Sequence, residues 1–355
     1  MLSYVSGSRR TAAVSHSRRA AALLAAAMMA LGTAAAAGVG SASAQSSTLG
    51  EASSRVTNPQ PWLGDKPFIT AKRHMGGNHW VVDVWSPANR AVIANNVLLP
   101  EGDKPRPSFY LLPGVEGGQA GMNWMTHSDI RNWAVGKNVN VVMPLGGAYS
   151  LYTDWNAEDP ILGVNKWNTY MTAELPPLID AEFHGTGRDA IGGISSTGGA
   201  ALDIAGHAPQ RYKAAASYSG CPVRSGAIGF PTSTAMIAYG GGSSFNAWGL
   251  PGSPQWFEHD PNANPGRLRD VEVFVGSASG TPGPIDGTNN PAQWLGPCAV
   301  ETVANQCSEE FTRNARNAGV RVNRYFSPQG SHTFNLFSHQ MKLSWDQTIA
   351  RTIGA

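Results

Sequence analysis

Short runs of β-branched, aromatic and small apolar residues recur at 80–85, 108–112, 139–143, 190–194, 214–218, 271–275 and 320–325, each bounded by Gly, Pro, Asn or Asp. Between them, segments 169–183, 198–208, 299–318 and 335–353 show helical apolar spacing or are rich in helix formers. Strand and helix alternating in this way predict crossover units and a mostly parallel sheet with helices on both faces, an α/β class. The stretch 222–264 breaks the alternation. It is rich in Gly, Pro and Ser with Trp248, Trp256 and Phe257 interspersed, and reads as an irregular, lid-like excursion on the domain.

Composition makes the chain globular: 42% of its 355 residues are hydrophobic, 14% are charged, and the net charge is +2. Arg9, Arg10, Arg18 and Arg19 are the only charged residues of the first 44, so the remainder carries 22 cationic against 24 anionic side chains. That balance offers no excess of cations for phosphate or anionic lipid, which argues against nucleic acid as a partner. After Arg18-Arg19 an Ala/Leu/Met run leads to Ala42-Ser43-Ala44. Charged, apolar and small-residue regions in that order predict a cleaved signal peptide at 1–44 and an exported single domain at 45–355. No later apolar run is long enough to anchor the mature chain in a membrane. Cys298 and Cys307, close in sequence in a polar region, are the expected disulfide pair of an oxidising compartment, leaving Cys221 as a buried thiol.

The run 190–194 leads straight into Gly193-Ile194-Ser195-Ser196-Thr197-Gly198-Gly199 and a helix. A serine on a strand-to-helix turn has its hydroxyl thrust outward, and small neighbours let the turn close. The helix N-terminus that follows brings unpaired N–H groups to where an oxyanion would form. Ser195 is therefore the expected nucleophile. The usual pattern has glycine two residues after the serine, whereas Thr197 stands there. In this arrangement the acid and then the histidine follow in later loops. Asp286, the only carboxylate between Glu272 and Glu301, follows the run 271–275; His332, in Gly330-Ser331-His332, follows the run 320–325. His332 would take the serine proton and Asp286 would hold its tautomer; His339 lies in the terminal helix and is expected to face solvent.

The chain resembles the mycolyltransferases of the antigen 85 type, secreted enzymes of the α/β-hydrolase fold. The likeness rests on Leu111-Leu112-Pro113-Gly114, Val141-Val142-Met143-Pro144 with Gly146-Gly147, Tyr152-Thr153-Asp154-Trp155, Lys166-Trp167 and Glu174-Leu175-Pro176. It continues through Gly193-Ile194-Ser195, Trp248-Gly249, Pro254 and Trp256, Asp260-Pro261, Gly280-Thr281-Pro282 and Gly330-Ser331-His332. It implies an oxyanion hole from the backbone N–H groups of Ser196 and Val115. The antigen 85 branch carries a glutamate two residues after its Thr-Pro, whereas Asp286 stands four after Pro282. That branch also contacts sugar through an aspartate and an arginine where this chain has Pro113 and Glu116.

The resemblance implies transfer of a mycolyl group between trehalose esters and trehalose or cell-wall arabinogalactan, through an acyl-enzyme. The alternatives are a secreted carboxylesterase and a non-catalytic wall-binding paralogue. No cofactor or metal is expected, because side chains and backbone N–H groups fill every role. Trp124 and Trp256 are candidates for stacking on a sugar face.

Overall fold

Strands whose residues alternate between two different apolar layers form the centre of the molecule. The computed structural model describes residues 60–287 and 296–355, so the expected signal peptide lies outside the described residues. Within them the strands are β1 (Phe68–Gly76), β2 (His79–Ser86), β3 (Ala91–Leu98), β4 (Ser108–Leu112), β5 (Asn140–Pro144), β6 (Asp189–Ile194), β7 (Tyr212–Tyr218), β8 (Glu272–Ala278) and β9 (Val322–Ser327). They make one sheet in the order β1-β2-β3-β5-β4-β6-β7-β8-β9. The pairs from β1 through β3 to β5 are antiparallel, and those from β5 to β9 are parallel.

Tyr110 and Leu112 of β4 point into one layer while Phe109 and Leu111 point into the other. Burial on both faces is why these strands read as unbroken apolar runs. The first layer is closed by α1 (Leu175–Phe183), α2 (Gly198–His207) and later α6 (Gly296–Asn317), through Ile179, Leu202, Ile204, Phe311 and Ala315. The second is closed by Trp124, Ile130 and the C-terminal α7 (Phe334–Ser344), through Phe337 and Met341. The expected helix 335–353 is interrupted after Ser344 by a π-helical turn, Trp345–Ile349.

Two strands escaped the sequence pattern for physical reasons. β1 is an edge strand, mostly exposed, so it has no apolar face to reveal it. β3 carries Asn95 in its centre, yet Asn95 is fully buried: its amide donates to the Val82 carbonyl and exchanges hydrogen bonds with the Tyr170 hydroxyl. A satisfied polar pair hides the strand from a hydrophobicity reading.

The excursion 222–264 is helical rather than irregular. It contains α3 (Gly226–Tyr239), α4 (Ser244–Trp248) and α5 (Pro254–Glu258). Ile237, Ala247, Trp248 and Trp256 pack with Tyr149, Leu151, Trp155 and Leu162 into a small core of their own. Gly226, Gly240, Gly249 and Pro254 mark the ends of these helices, while Gly229 and Pro231 lie inside α3.

The disulfide joins Cys221 to Cys307, with Cα atoms 4.9 Å apart, and Cys298 takes no part in it. The expected Cys298–Cys307 bridge cannot form because both residues lie on α6. Nine residues of helix separate their Cα atoms by about 13 Å, well beyond the ~7 Å a disulfide spans. The observed bond closes a separation of 86 residues. On the chain-entropy account, Cys307→Ser should cost about 4.5 kcal/mol of unfolding free energy, read by urea denaturation. A variant as stable as the parent would contradict it.

Candidate active site

The turn after β6 forces Ser195 into the left-handed region at φ +55°, a conformation that costs a non-glycine residue energy and is characteristic of functional turns. Its neighbours show why the segment is glycine-rich. A Cβ on Gly193 would lie 2.1 Å from the Thr197 carbonyl oxygen, one on Gly198 2.5 Å from Ser217 Oγ, and one on Gly199 2.8 Å from the Cys221 carbonyl oxygen. Close approach thus falls at 198 and 199, which leaves position 197 free for threonine. The Thr197 hydroxyl donates to the Pro113 carbonyl at 2.7 Å, tying the turn to the loop after β4.

Ser196 lies in the short 3₁₀ turn Ser195–Thr197 that leads into α2, so its N–H is among those a helix start leaves unpaired. Val115, in the loop fastened by Thr197, accepts from Tyr149 N–H at 2.7 Å through its own carbonyl. The loops after β4 and β5 are further joined by a Gly146 N–H to Gly117 carbonyl bond of 2.7 Å. Tyr149, Leu151, Tyr152, Ser195 and Ser219 all have positive φ, and all lie beyond the carboxyl ends of β5, β6 and β7. Uncommon backbone conformations gather at this edge of the sheet, where α/β proteins place their ligands.

His332 lies in the loop between β9 and α7, its N–H donating to the Pro297 carbonyl at 3.2 Å. Its Nε2 is 2.8 Å from Ser195 Oγ, and its Nδ1 is 2.8 Å from Glu301 Oε2. Two predicted residues 137 positions apart are thereby brought into hydrogen-bond contact. The third partner is not Asp286 but Glu301, on α6 and fully buried. Its other oxygen, Oε1, accepts from the Ser219 hydroxyl at 2.8 Å and from Ala278 N–H at 2.7 Å. Gln340 Nε2 in turn donates to Ser219 Oγ at 3.1 Å.

Asp286 braces the histidine loop instead. It accepts from Ser331 N–H at 2.9 Å, the Thr333 hydroxyl at 3.1 Å and Gly283 N–H at 2.9 Å. With Oδ1 taken by the two residues that flank His332 and Oδ2 by Gly283, its carboxylate holds the loop and is not bonded to the ring.

Trp124 and Trp256 are not sugar platforms. Both are fully buried, with their indole N–H groups donating to the carbonyls of Leu112 and Gly249. His339 is exposed on α7 with Nε2 3.2 Å from the Tyr325 hydroxyl, well away from the Ser195–His332 pair's bonds. Glu116 is half-buried, and loss of hydration pushes its carboxyl up from the ordinary range.

A second charged cluster lies at the far end of α2. His207 Nδ1 stands 3.3 Å from one oxygen of buried Asp203, and His259 Nδ1 3.1 Å from the other. These three are the one set of His, Cys, Asp or Glu side chains among the described residues with metal-ligand proximity. Both ring nitrogens of His207 are already engaged: Nδ1 is 2.9 Å from the Asp203 carbonyl, and the Arg267 guanidinium is 3.1 Å from Nε2. Burial works against the charged ring, but Asp203 and Glu258 outweigh it and hold His207 up at about 9. A raised pKa contributes stability that is complete below the ordinary value near 6.5 and fades as pH rises through about 9. Between neutral pH and pH ~10, the parent should therefore lose several degrees more melting temperature than His207→Gln. Equal losses in a pH series of thermal melts would contradict this reading.

An α/β-hydrolase-type protein of the serine class is what this sheet and this edge define. Residues 88–347 match the family described as putative esterase. The diacylglycerol acyltransferase/mycolyltransferase Ag85A of Mycobacterium tuberculosis is 31% identical over 267 residues, covering 72% of this chain and 76% of that protein. Ag85B of Mycobacterium leprae is 31% identical over 254 residues, covering 68% and 74%. The crystal structure of Mycobacterium tuberculosis MPT51 superposes with a TM-score of 0.66 at 27% identity, covering 79% of this chain and 99% of that one. The chain belongs to the esterase family and, within it, to the antigen 85-type mycolyltransferases.

Glu301 was missed because the acid was sought in a loop, whereas it occupies a helix. A signal for it did exist. Glu301 shares a helical stripe with Ala304, Ser308, Phe311 and Ala315, all buried, and a carboxylate on an apolar stripe needs a buried partner.

Proposed function

We propose that the protein is a serine acyltransferase that carries a long-chain acyl group, of the mycolyl type, between trehalose esters and trehalose or wall arabinogalactan. The observation that carries this reading is the unbroken relay Ser195 Oγ to His332 Nε2, and His332 Nδ1 to Glu301, each step 2.8 Å. Ser195 Oγ attacks the ester carbonyl while His332 takes its proton, and Glu301 stabilises the imidazolium. The Ser196 and Val115 N–H groups face the oxyanion. As the tetrahedral intermediate collapses, the bond to the leaving alcohol breaks and His332 returns the proton to its oxygen. In the second half His332 deprotonates an acceptor hydroxyl, which attacks the acyl-serine and releases Ser195. On this reading the chain acts in the cell envelope, as one domain at 45–355 freed of the segment 1–44. With neither side chain of the antigen 85 sugar contacts present at 113 and 116, the acceptor is held by a different set of groups, of which Glu116 is one.

Product analysis with and without trehalose tests the reading. Acylated trehalose should rise with acceptor concentration at the expense of free acid. Free acid formed at a rate indifferent to trehalose would instead make the protein a carboxylesterase.

A further inference from the structure

From Ser225 to Phe257 the chain has no Asp, Glu, Lys, Arg or His over 33 residues. At the chain's overall charged fraction of 14%, a stretch of that length would carry about five. This is the segment that folds into α3, α4 and α5, and it lies on the surface.

α3 packs Ile237 into the small core but lacks the charged outer face of an ordinary surface helix. Thr232 and Ser233 are buried, and Thr232 spends its hydroxyl on the Ile228 carbonyl. Ala227, Pro231 and Ala238 are exposed, while Phe230, Met236 and Tyr239 are partly buried against the small core. α4 and α5 continue the theme. Trp248 and Trp256 fill the small core beneath, and Phe245, Leu250 and Phe257 stand out at 58%, 67% and 42% exposure. Ile161, 38% exposed, borders Gly241.

Charged groups at the border are turned to other uses. Asp159 accepts from the N–H groups of Ile161, Leu162 and Ser243 and from the Asn246 amide. Glu158 pairs with Arg90, and Glu258 with Arg267. The face is also continuous with the catalytic edge, because Val115 packs against the same small core.

We propose that this cap face docks on an uncharged lipid surface, from which the acyl donor enters the site. The partner's chemistry follows from the face. The exposed Phe and Leu side chains favour an apolar phase, and because the border cations Arg90 and Arg267 are each paired with a glutamate, little draws the face to anionic headgroups. That the surface delivers an acyl donor rests on the acyltransferase reading; that the cap binds it does not.

Flotation of the full chain with vesicles tests the docking. The protein should float with pure phosphatidylcholine vesicles, gain nothing from added phosphatidylglycerol, and be indifferent to salt. Phe245→Asp combined with Leu250→Asp should weaken flotation by about tenfold or more, with unchanged hydrolysis of a soluble short-chain ester. Failure of the parent to float, binding that needs anionic lipid and fades with salt, or a double variant that floats like the parent would each overturn the proposal. So would a parent that dimerises through this face, with the double variant monomeric and neither form floating. Ser195→Ala should float normally and be inactive on the soluble ester. Loss of docking and loss of the catalytic reading are thereby told apart.

Discussion

Ser195→Ala is expected to lower turnover of a soluble short-chain ester by ~10⁴-fold or more, with little change in substrate affinity. The alanine leaves His332 without an oxygen to deprotonate and the ester without a nucleophile, while the N–H groups of the turn remain to bind it. The variant should melt close to the parent, since among the described residues the His332 ring is what bonds the Ser195 hydroxyl. Steady-state kinetics beside a thermal melt check both halves. Near-normal turnover would remove Ser195 from the chemistry.

Glu301→Gln is the second large effect, expected at roughly 10³–10⁴-fold in kcat. Its size follows from the donors around the carboxylate. Ser219 Oγ–H and Ala278 N–H both donate to Oε1, so a glutamine there keeps its oxygen on that side and turns its NH₂ toward His332 Nδ1. That nitrogen must then accept, which puts the ring proton on Nε2, facing Ser195. An imidazole in this tautomer cannot take the serine proton. Asp286→Asn can keep both bonds of Oδ1 to the loop around His332, loses the bond from Gly283 N–H, and should cost only about tenfold. The two variants therefore separate an acid that acts on the ring from one that holds its loop. If Asp286→Asn were the more damaging, the relay through Glu301 would be wrong.

Much of this arrangement was legible in the sequence because it depended on local rules. The parallel strands announced themselves as apolar runs since both their faces are buried, and Ser195 did so because the turn that presents it cannot close around larger residues at 193, 198 and 199. His332 followed from chain order and from its place in a loop after a strand, with His339 set in the terminal helix. The features that escaped depend on where segments meet. Glu301 is marked only by its place on the apolar stripe of its helix, and its partners become visible when that helix is laid beside Ser219 and Ala278. Cys298 and Cys307 look paired along the sequence, but a helix carries them apart while β7 brings Cys221 within reach. Trp124 and Trp256 carry no mark in the sequence that distinguishes an aromatic of the core from one that greets a ligand. Thr197 illustrates the reverse case. It looked like a departure from the elbow, and the structure gives it the work of fastening the turn to the loop after β4.

The account's central claim is a covalent one, and the most direct measurement is the mass of the intact protein quenched during turnover of an activated acyl ester, followed by peptide mapping. One acyl group per chain, carried on the peptide containing Ser195 and discharged when trehalose is added, is the predicted result. A chain whose mass never changes, or an acyl group found on any other residue, would contradict it.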